Sequence, residues 1–370
     1  MGGRALIVSL LGIMVLSVSI FLSITESSED LMKNVDQYFL RQTAQNIAQS
    51  GVNLSLRRLA DDPAWRSGYS YMAMMNGNLS VRLVDTMFDT KSVVKVISTG
   101  ITDYGKDTER RETSIAFIAS GYIPAAVKAA ITTNNPIKTL GGLIVDGRNH
   151  TMNGALLNNS GTLGIWTTKT LSQSGNSKIG GTALGVDYVP SKPGNSSTIK
   201  TGQTYPGGYP SSPDSILGGP SMGFAEGRLK SIALSGIGGS QYVTNPALLS
   251  SPMRGVTYVE LPSGGVWQSM NIEGTGILIV HNNSKNAGMK NLNGGTFKGL
   301  IIADDIVHIH TDIIGGLIGL SPSPSEGNCI GNGNGNVYYS TEAIARATGT
   351  AGTATVLGNG SSGGVLAWWE

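Results

Sequence analysis

The chain has very little of two things on which many folds and sites depend, cysteine and charge. Its 370 residues include one cysteine, Cys329, so no disulfide can form within the chain and no cysteine cluster can hold a metal. Only 14% of the residues are charged, against about 25% in a typical globular protein. The net charge of +2 provides no general attraction for nucleic acid, and we expect no nucleic-acid partner.

Two short motifs that accompany common catalytic or redox sites are also missing. The sequence contains no phosphate-binding P-loop and no Cys-x-x-Cys pair. We therefore expect neither a bound cofactor nor enzymatic activity.

An uncharged apolar run occupies residues 5–24 near the start of the sequence. As a helix this run rises about 30 Å, which matches the hydrocarbon core of a bilayer. Arg4 precedes it and Glu26, Glu29 and Asp30 follow it, an asymmetry that predicts a cytoplasmic N-terminus. The run alone fits three interpretations: a cleaved secretory signal, a plain membrane anchor, or a stem that later packs inside a filament.

An amphipathic pattern continues this helix as far as a proline. Residues 27–60 contain no proline, and their apolar residues recur at steps of three and four, which predicts one apolar stripe. Because the residue before a proline avoids helical angles, Pro63 ends the helix. We predict one helix from about Ala5 to about Ala60, with a transmembrane half at 1–25 and an amphipathic half at 26–62.

Two stretches of this helix resemble a known family. Residues 3–8 (GRALIV) and 44–53 (AQNIAQSGVN) are similar to the start of type IV pilin-like proteins of the PilX minor-pilin kind. The resemblance implies cleavage by a prepilin peptidase after Gly3, with Gly2 as the second choice, and Val8, where major pilins carry glutamate, points to a minor or atypical subunit.

The same resemblance implies a location and a set of partners. Such a chain is held in the inner membrane before assembly and then joins other pilin subunits in a filament at the cell surface. The residues expected to pack in the membrane and in the filament are Leu6, Leu10, Met14, Phe21, Leu31, Val35 and Phe39.

An antiparallel β-meander is predicted for residues 63–121. Residues 79–88, 92–101 and 112–120 alternate or are rich in β-branched residues, as strands are, and a turn at 103–107 joins the last two. Residues 63–78 read as a loop. Ser98-Thr99-Gly100 and Arg111-Glu112-Thr113 also resemble the pilin family. The predicted fold class is therefore α+β and pilin-like, a long helix with an antiparallel meander.

From residue 122 to 335 the composition changes to Gly, Asn, Ser and Thr with short apolar bursts. The bursts at residues 142–145, 276–280, 299–302 and 316–318 look alike, and their spacing near 20 predicts a right-handed parallel β-helix or solenoid. An irregular β-sandwich is the alternative. Residues 191–220 contain five prolines and read as a long loop.

The last segment, residues 336–370, is predicted to hold three short elements. Residues 336–339 read as a strand, Ser340 caps a helix at 341–347, and residues 365–370 read as a closing strand. In the resembled family a similar tail ends the chain, which implies a return to the meander and makes the β-rich domain an insertion.

Three groups of residues could carry chemistry. His308, His310 and Asp312 would share one face of a strand and could hold zinc, although an ordinary solvent face is the simpler explanation. Asp304 and Asp305, with Asp312 and Lys298, resemble the acidic sites of polysaccharide-cleaving β-helices, but no neighbouring coil repeats them. Asp103, Asp107 and Glu109 could suggest calcium, but they lack the ligand spacing of a known calcium loop.

The sequence as a whole favours a structural role. We expect a minor pilin-like subunit of a type IV pilus or pseudopilus, anchored by its helix and displaying a β-solenoid head for assembly or adhesion. The alternative is a membrane-tethered surface protein whose head binds or cleaves polysaccharide.

Overall fold

The computed structural model describes residues 2–61, 65–88, 91–119, 121–323, 332–357 and 365–369. In the N-terminal helix the side chains are described from Leu10 onward. The predicted cleavage residue Gly3 and the predicted packing residue Leu6 therefore have no described side-chain environment. Cys329 lies outside the described residues.

One helix, α1, runs from Gly2 to Asp61 over 60 residues. At 1.5 Å per residue it is about 90 Å long. The predicted uninterrupted helix is confirmed, and it ends two residues before Pro63.

A five-stranded antiparallel sheet follows α1. Its first strands are β1 Tyr69–Met74, β2 Gly77–Phe88, β3 Lys91–Thr102 and β4 Arg110–Ala119, and the C-terminal strand Val365–Trp369 pairs with β4 at the far edge. The prediction of a loop at 63–78 is wrong for its second part, because β1 lies there. A two-residue turn at Met75 and Asn76, with φ of 49° and 60°, closes the β1–β2 hairpin.

The β-rich domain after residue 121, called the head below, begins with short strands. In the described residues the first ten are β5 Ala129–Thr133, β6 Ile137–Gly141, β7 Ile144–Asp146, β8 Asn149–His150, β9 Leu156–Leu157, β10 Leu163–Thr167, β11 Leu171–Gln173, β12 Lys178–Ala183, β13 Val186–Ser191 and β14 Ile199–Lys200.

Two short helices, α2 Pro213–Ile216 and α3 Arg228–Ser235, separate these strands from a second set. The second set is β15 Gln241–Val243, β16 Val256–Glu260, β17 Val266–Asn271, β18 Gly274–His281, β19 Gly288–Gly294, β20 Thr296–Ala303, β21 Asp305–Ile309, β22 Asp312–Gly319, β23 Asn332–Gly333 and β24 Asn336–Tyr339. The segment predicted as a long loop at 191–220 contains β14, α2 and two 3-10 turns.

The largest sheet in the head joins strands from both sets. Its order is β13-β12-β7-β24-β22-β20-β18-β16-β15, and β5, β10 and β14 attach through β22. The described neighbours run parallel, apart from the antiparallel pair β12–β13. The head is therefore β-rich with mixed sheets. No sheet in the described residues closes on itself, so the predicted parallel β-helix is not confirmed.

Glycines fix the register of the central strands. Gly276 lies opposite Gly299, as the spacing predicted, but Gly299 lies opposite Gly315 rather than the predicted Gly316. A Cβ on Gly299 would lie 2.0 Å from the Gly276 carbonyl oxygen, and one on Gly315 would lie 1.8 Å from that of Gly299. With φ of 140° and 147°, these two positions require glycine.

The last helix, α4 Thr341–Leu357, is ten residues longer than predicted, and β25 Val365–Trp369 follows it. Ser340 caps it as predicted, since Ser340 Oγ accepts the Ala343 N–H at 3.1 Å. The helix also returns to the start of the head. The Tyr122 N–H donates to Thr348 Oγ1 at 2.9 Å, and that hydroxyl donates to the Tyr122 carbonyl at 2.7 Å.

Candidate functional site: the N-terminal helix and its docking face

The first part of α1 is uncovered by the rest of the chain. Every described side chain from residue 10 to residue 39 is exposed. This part includes six of the predicted packing residues, Leu10, Met14, Phe21, Leu31, Val35 and Phe39, with 46% to 71% of their surface exposed. One 18-residue window has a mean hydropathy of 1.9, so this helix is long and apolar enough to cross a membrane.

The second part of α1 is docked on the meander. A row of small residues faces the sheet at helical spacing, namely Ala44, Ala48, Gly51 and Ser55, and all four are buried. Ile47, Val52 and Leu59 pack beside them against the apolar face of β2, β3 and β4. The predicted stripe is therefore buried only from Ala44 onward, and its first part, with Leu31 and Val35, is exposed.

Close backbone approach defines this docking face. An added Cβ at Gly100 of β3 would lie 1.9 Å from the Ala44 carbonyl oxygen, and one at Gly51 of α1 would lie 2.2 Å from Ser98 Oγ. Thr102 Oγ1 donates to the Leu40 carbonyl at 3.1 Å, where the exposed part of the helix meets the docked part. The small residues thus allow α1 and β3 to pack at backbone distance.

An ion pair also joins the helix to the sheet, but it contributes little. Arg41 Nε donates to Glu112 Oε1 at 2.7 Å, and the Arg41 side chain is 71% exposed. Exposed pairs of this kind typically stabilise a fold by about 0–1 kcal/mol. The packing of small and apolar residues therefore holds α1 on the meander.

The three candidate zinc ligands are not brought together. His308 has φ of 63°, which breaks the alternation of β21, and its Nδ1 lies 2.6 Å from Asn291 Oδ1. His310 Nδ1 accepts the Asn334 N–H at 3.4 Å, and Asp312 Oδ1 accepts from Asn336 Nδ2 at 2.7 Å. Among the described residues no group of three His, Cys, Asp or Glu side chains could hold a metal.

Two of the three candidate calcium residues in the β3–β4 turn, Asp103 and Glu109, already have cationic partners. Asp103 accepts from Lys106 Nζ at 2.9 Å and from Thr108 Oγ1 at 2.7 Å, and the Lys106 bond is the main reason that its pKa is lowered. Glu109 accepts the Gly105 N–H and pairs with Arg111, and these two bonds lower its pKa as well. These carboxylates stabilise a solvated turn.

A buried polar pair in the head was not predicted. Asp304 is fully buried at the end of β20, and its Oδ1 lies 2.6 Å from Nδ1 of the buried His281. Asp304 Oδ2 accepts the N–H groups of Asn282 and Ala287 at 3.0 and 3.2 Å. Since Asp304 is occupied in this way, it does not lie in an open acidic site with Asp312. Only the register of β18 against β20 brings His281 next to Asp304, and the sequence alone does not show that register.

Comparison with known proteins provides no relative for this chain. No family model, no curated protein and no solved structure matches it.

Proposed function

We propose that this protein is a membrane-anchored structural subunit, a minor pilin-like component of a type IV pilus or pseudopilus. It is held in the inner membrane by α1, is cleaved after Gly3 by a prepilin peptidase, and then packs with other pilin subunits in a surface filament. The observation that carries the proposal is the division of α1 into an exposed part at 10–39, whose first half is apolar, and a docked part at 44–59.

The length of the exposed part favours a stem over a plain anchor or a signal sequence. A bilayer core covers about 20 helical residues, which accounts for residues 5–24. A further 15 exposed residues follow, and they carry Leu31, Met32, Val35, Tyr38 and Phe39. Burying one large apolar side chain stabilises a protein by roughly 1.5–3 kcal/mol. A protein surface that covers these five side chains outside the lipid therefore stabilises the second segment. Helices of sister subunits supply that surface.

The head is proposed as the displayed part, with a structural rather than a catalytic role in assembly or adhesion. We propose that its parallel strands stack as the coils of a right-handed β-helix, supported by the matched register of β16, β18, β20 and β22. The burial of Asp304 and its hydrogen bonds to His281, Asn282 and Ala287 do not favour a polysaccharide-cleaving centre.

The stem can be tested with Leu16→Asp and a matched control, Leu184→Asp. Aspartate at the centre of a membrane helix costs about 2.5–3.5 kcal/mol, so Leu16→Asp should be lost from membranes and from sheared surface filaments. Leu184 is fully exposed at a hairpin tip of the head, where aspartate costs little. Circular dichroism and limited proteolysis should show an intact head in both variants. Entry of Leu16→Asp into filaments at the normal level would refute the proposal.

Processing has a direct measurement of its own. Mass spectrometry of the filament-borne protein should find a mature N-terminus at Arg4. A mature N-terminus near Thr25 would identify a cleaved secretory signal instead.

A further inference from the structure

A groove crosses the parallel strands of the head beside α4. It consists of two adjoining cavities of about 740 Å³ and 590 Å³, within the range of small-molecule sites. Both are lined by Met152, Pro252, Gly274, Thr275 and Lys298, so they form one continuous depression. We call it the head groove.

The floor of the head groove is a row of side chains across four adjacent strands. Thr275 of β18 lies opposite Lys298 of β20, Lys298 opposite Ile314 of β22, and Ile314 opposite Tyr338 of β24. Since neighbouring strands are about 4.8 Å apart, the row is roughly 14 Å long. A site of this form suits an extended ligand that runs across the strands.

One half of the groove is cationic. The 590 Å³ cavity is lined by Lys298, Arg254 and Arg346, and none of its lining residues is a carboxylate. Within the described part of the chain Lys298 and Arg254 take part in no ion pair. Arg346 Nη1 lies 3.6 Å from Met152 Sδ at the junction of the two cavities. This half therefore favours an anionic group.

The other half has the groups that recognise hydroxyls. The 740 Å³ cavity is lined by Thr275, Thr296 and Tyr338, together with the carboxylates of Glu273 and Asp312. Burial, and then the nearby charges of Asp312 and Asp146, raise the pKa of Tyr338, so its phenol is a neutral donor and acceptor at physiological pH. Carboxylates accept hydrogen bonds from sugar hydroxyls and repel phosphates.

We propose that the head groove binds an acidic oligosaccharide, with a sugar carboxylate beside Lys298 and Arg254 and hydroxylated sugar units extending toward Tyr338. A nucleic acid or a polyphosphate fits less well, because its continuous charge would place anionic groups against Glu273 and Asp312. The inference deepens the proposed function by giving the displayed head a ligand class, and it rests on that function only for the exposure of the head at the cell surface.

The test measures binding of a fluorescently labelled acidic tetrasaccharide, one glucuronate linked to three neutral xylose units, to the full-length protein in detergent micelles. Lys298→Gln should weaken binding at least tenfold at low salt, because it removes the charged donor beside the sugar carboxylate. The matched control is Lys178→Gln, at an exposed lysine of β12 that does not line the groove, and its affinity should stay within twofold of the parent. The neutral tetrasaccharide xylotetraose should bind more weakly than the acidic tetrasaccharide.

Three results would overturn the inference. They are no measurable binding of the acidic tetrasaccharide, equal losses in Lys298→Gln and Lys178→Gln, and binding of inorganic polyphosphate as tight as that of the acidic tetrasaccharide. Leu16→Asp in the same micelles should bind the acidic tetrasaccharide like the parent, so a failure of the groove is distinguishable from a failure of the stem. Circular dichroism of each variant should show that the head is folded.

Discussion

The docking of α1 on the meander predicts that one added methyl group will loosen the packing of α1 on the sheet. In Gly100→Ala the new Cβ would start 1.9 Å from the Ala44 carbonyl oxygen and 2.9 Å from the Ala48 nitrogen. Both neighbours are helix backbone, which has no rotamer with which to move aside. The helix must retreat until the first distance exceeds the 3.0 Å below which Cβ contacts are essentially never seen.

The size of the effect follows from the packing that this retreat opens. Overpacking a well-packed core typically costs 1–3 kcal/mol, and a radial gap of 0.5–1 Å forfeits a quarter to a half of each dispersion contact. Because Ile47, Ala48 and Val52 are fully buried beside the contact, we place the loss at about 2–3 kcal/mol. At 1.4 kcal/mol for each tenfold change, the docked part of α1 should open roughly 30- to 150-fold more often.

Amide hydrogen exchange read by mass spectrometry on the full-length protein in micelles measures this opening. Peptides covering residues 44–59 should exchange faster in Gly100→Ala by that factor, while head peptides keep their protection. The matched control is Gly288→Ala in β19, since its new Cβ would lie 3.4 Å from the Val266 side chain, an ordinary van der Waals distance. Unchanged protection of 44–59 in Gly100→Ala would refute the close-packed docking face.

Two further predictions concern buried carboxylates of the head. Asp304→Ala should lower the free energy of unfolding in urea by about 3–5 kcal/mol, because it leaves the buried His281 without its partner. The exposed Asp107→Ala should stay within about 0.5 kcal/mol of the parent. Equal urea midpoints for the two variants would contradict the buried pair of Asp304 and His281. Burial raises the pKa of Asp214 to about 6, above its unfolded value near 4. The contribution of Asp214 to stability is therefore full below pH 4 and is lost as the pH rises through 6. In Asp214→Asn the free energy of unfolding should change less between pH 4 and pH 6 than in the parent. The same change with pH in both proteins would contradict the raised pKa of Asp214.

The helix and most of the meander were predictable because their signals are local. The spacing of Ile47, Ala48 and Val52 is a helical period, and the run from Lys91 to Thr102 is rich in β-branched residues. Strand β1 escaped prediction because Tyr71 has φ of 48°, and the pairing with β2 shifts between Tyr69 and Met72. A bulge of this kind destroys the two-residue alternation on which a strand prediction depends.

The head groove and the length of α4 depend on contacts that the sequence does not display. Gly349 and Gly352 look like a helix end, but α4 continues through them because it packs on β18, β20 and β22. The row from Thr275 to Tyr338 joins residues 63 positions apart, and one step of register would turn each side chain to the other face. The candidate zinc ligands do not form a group in the described residues for a related reason, since the positive φ of His308 ends the alternation that would place it with His310 and Asp312.

The two hydrogen bonds between Tyr122 and Thr348 hold the start of the head next to the helix that follows it. The chain leaves the meander after β4, builds the head, and comes back through α4 to that same point before β25 returns to the sheet. A domain with entry and exit so close can be exchanged for another without altering the strand order of its host. A different domain joined at Tyr122 and Thr348 would therefore leave α1 and the five-stranded sheet unchanged.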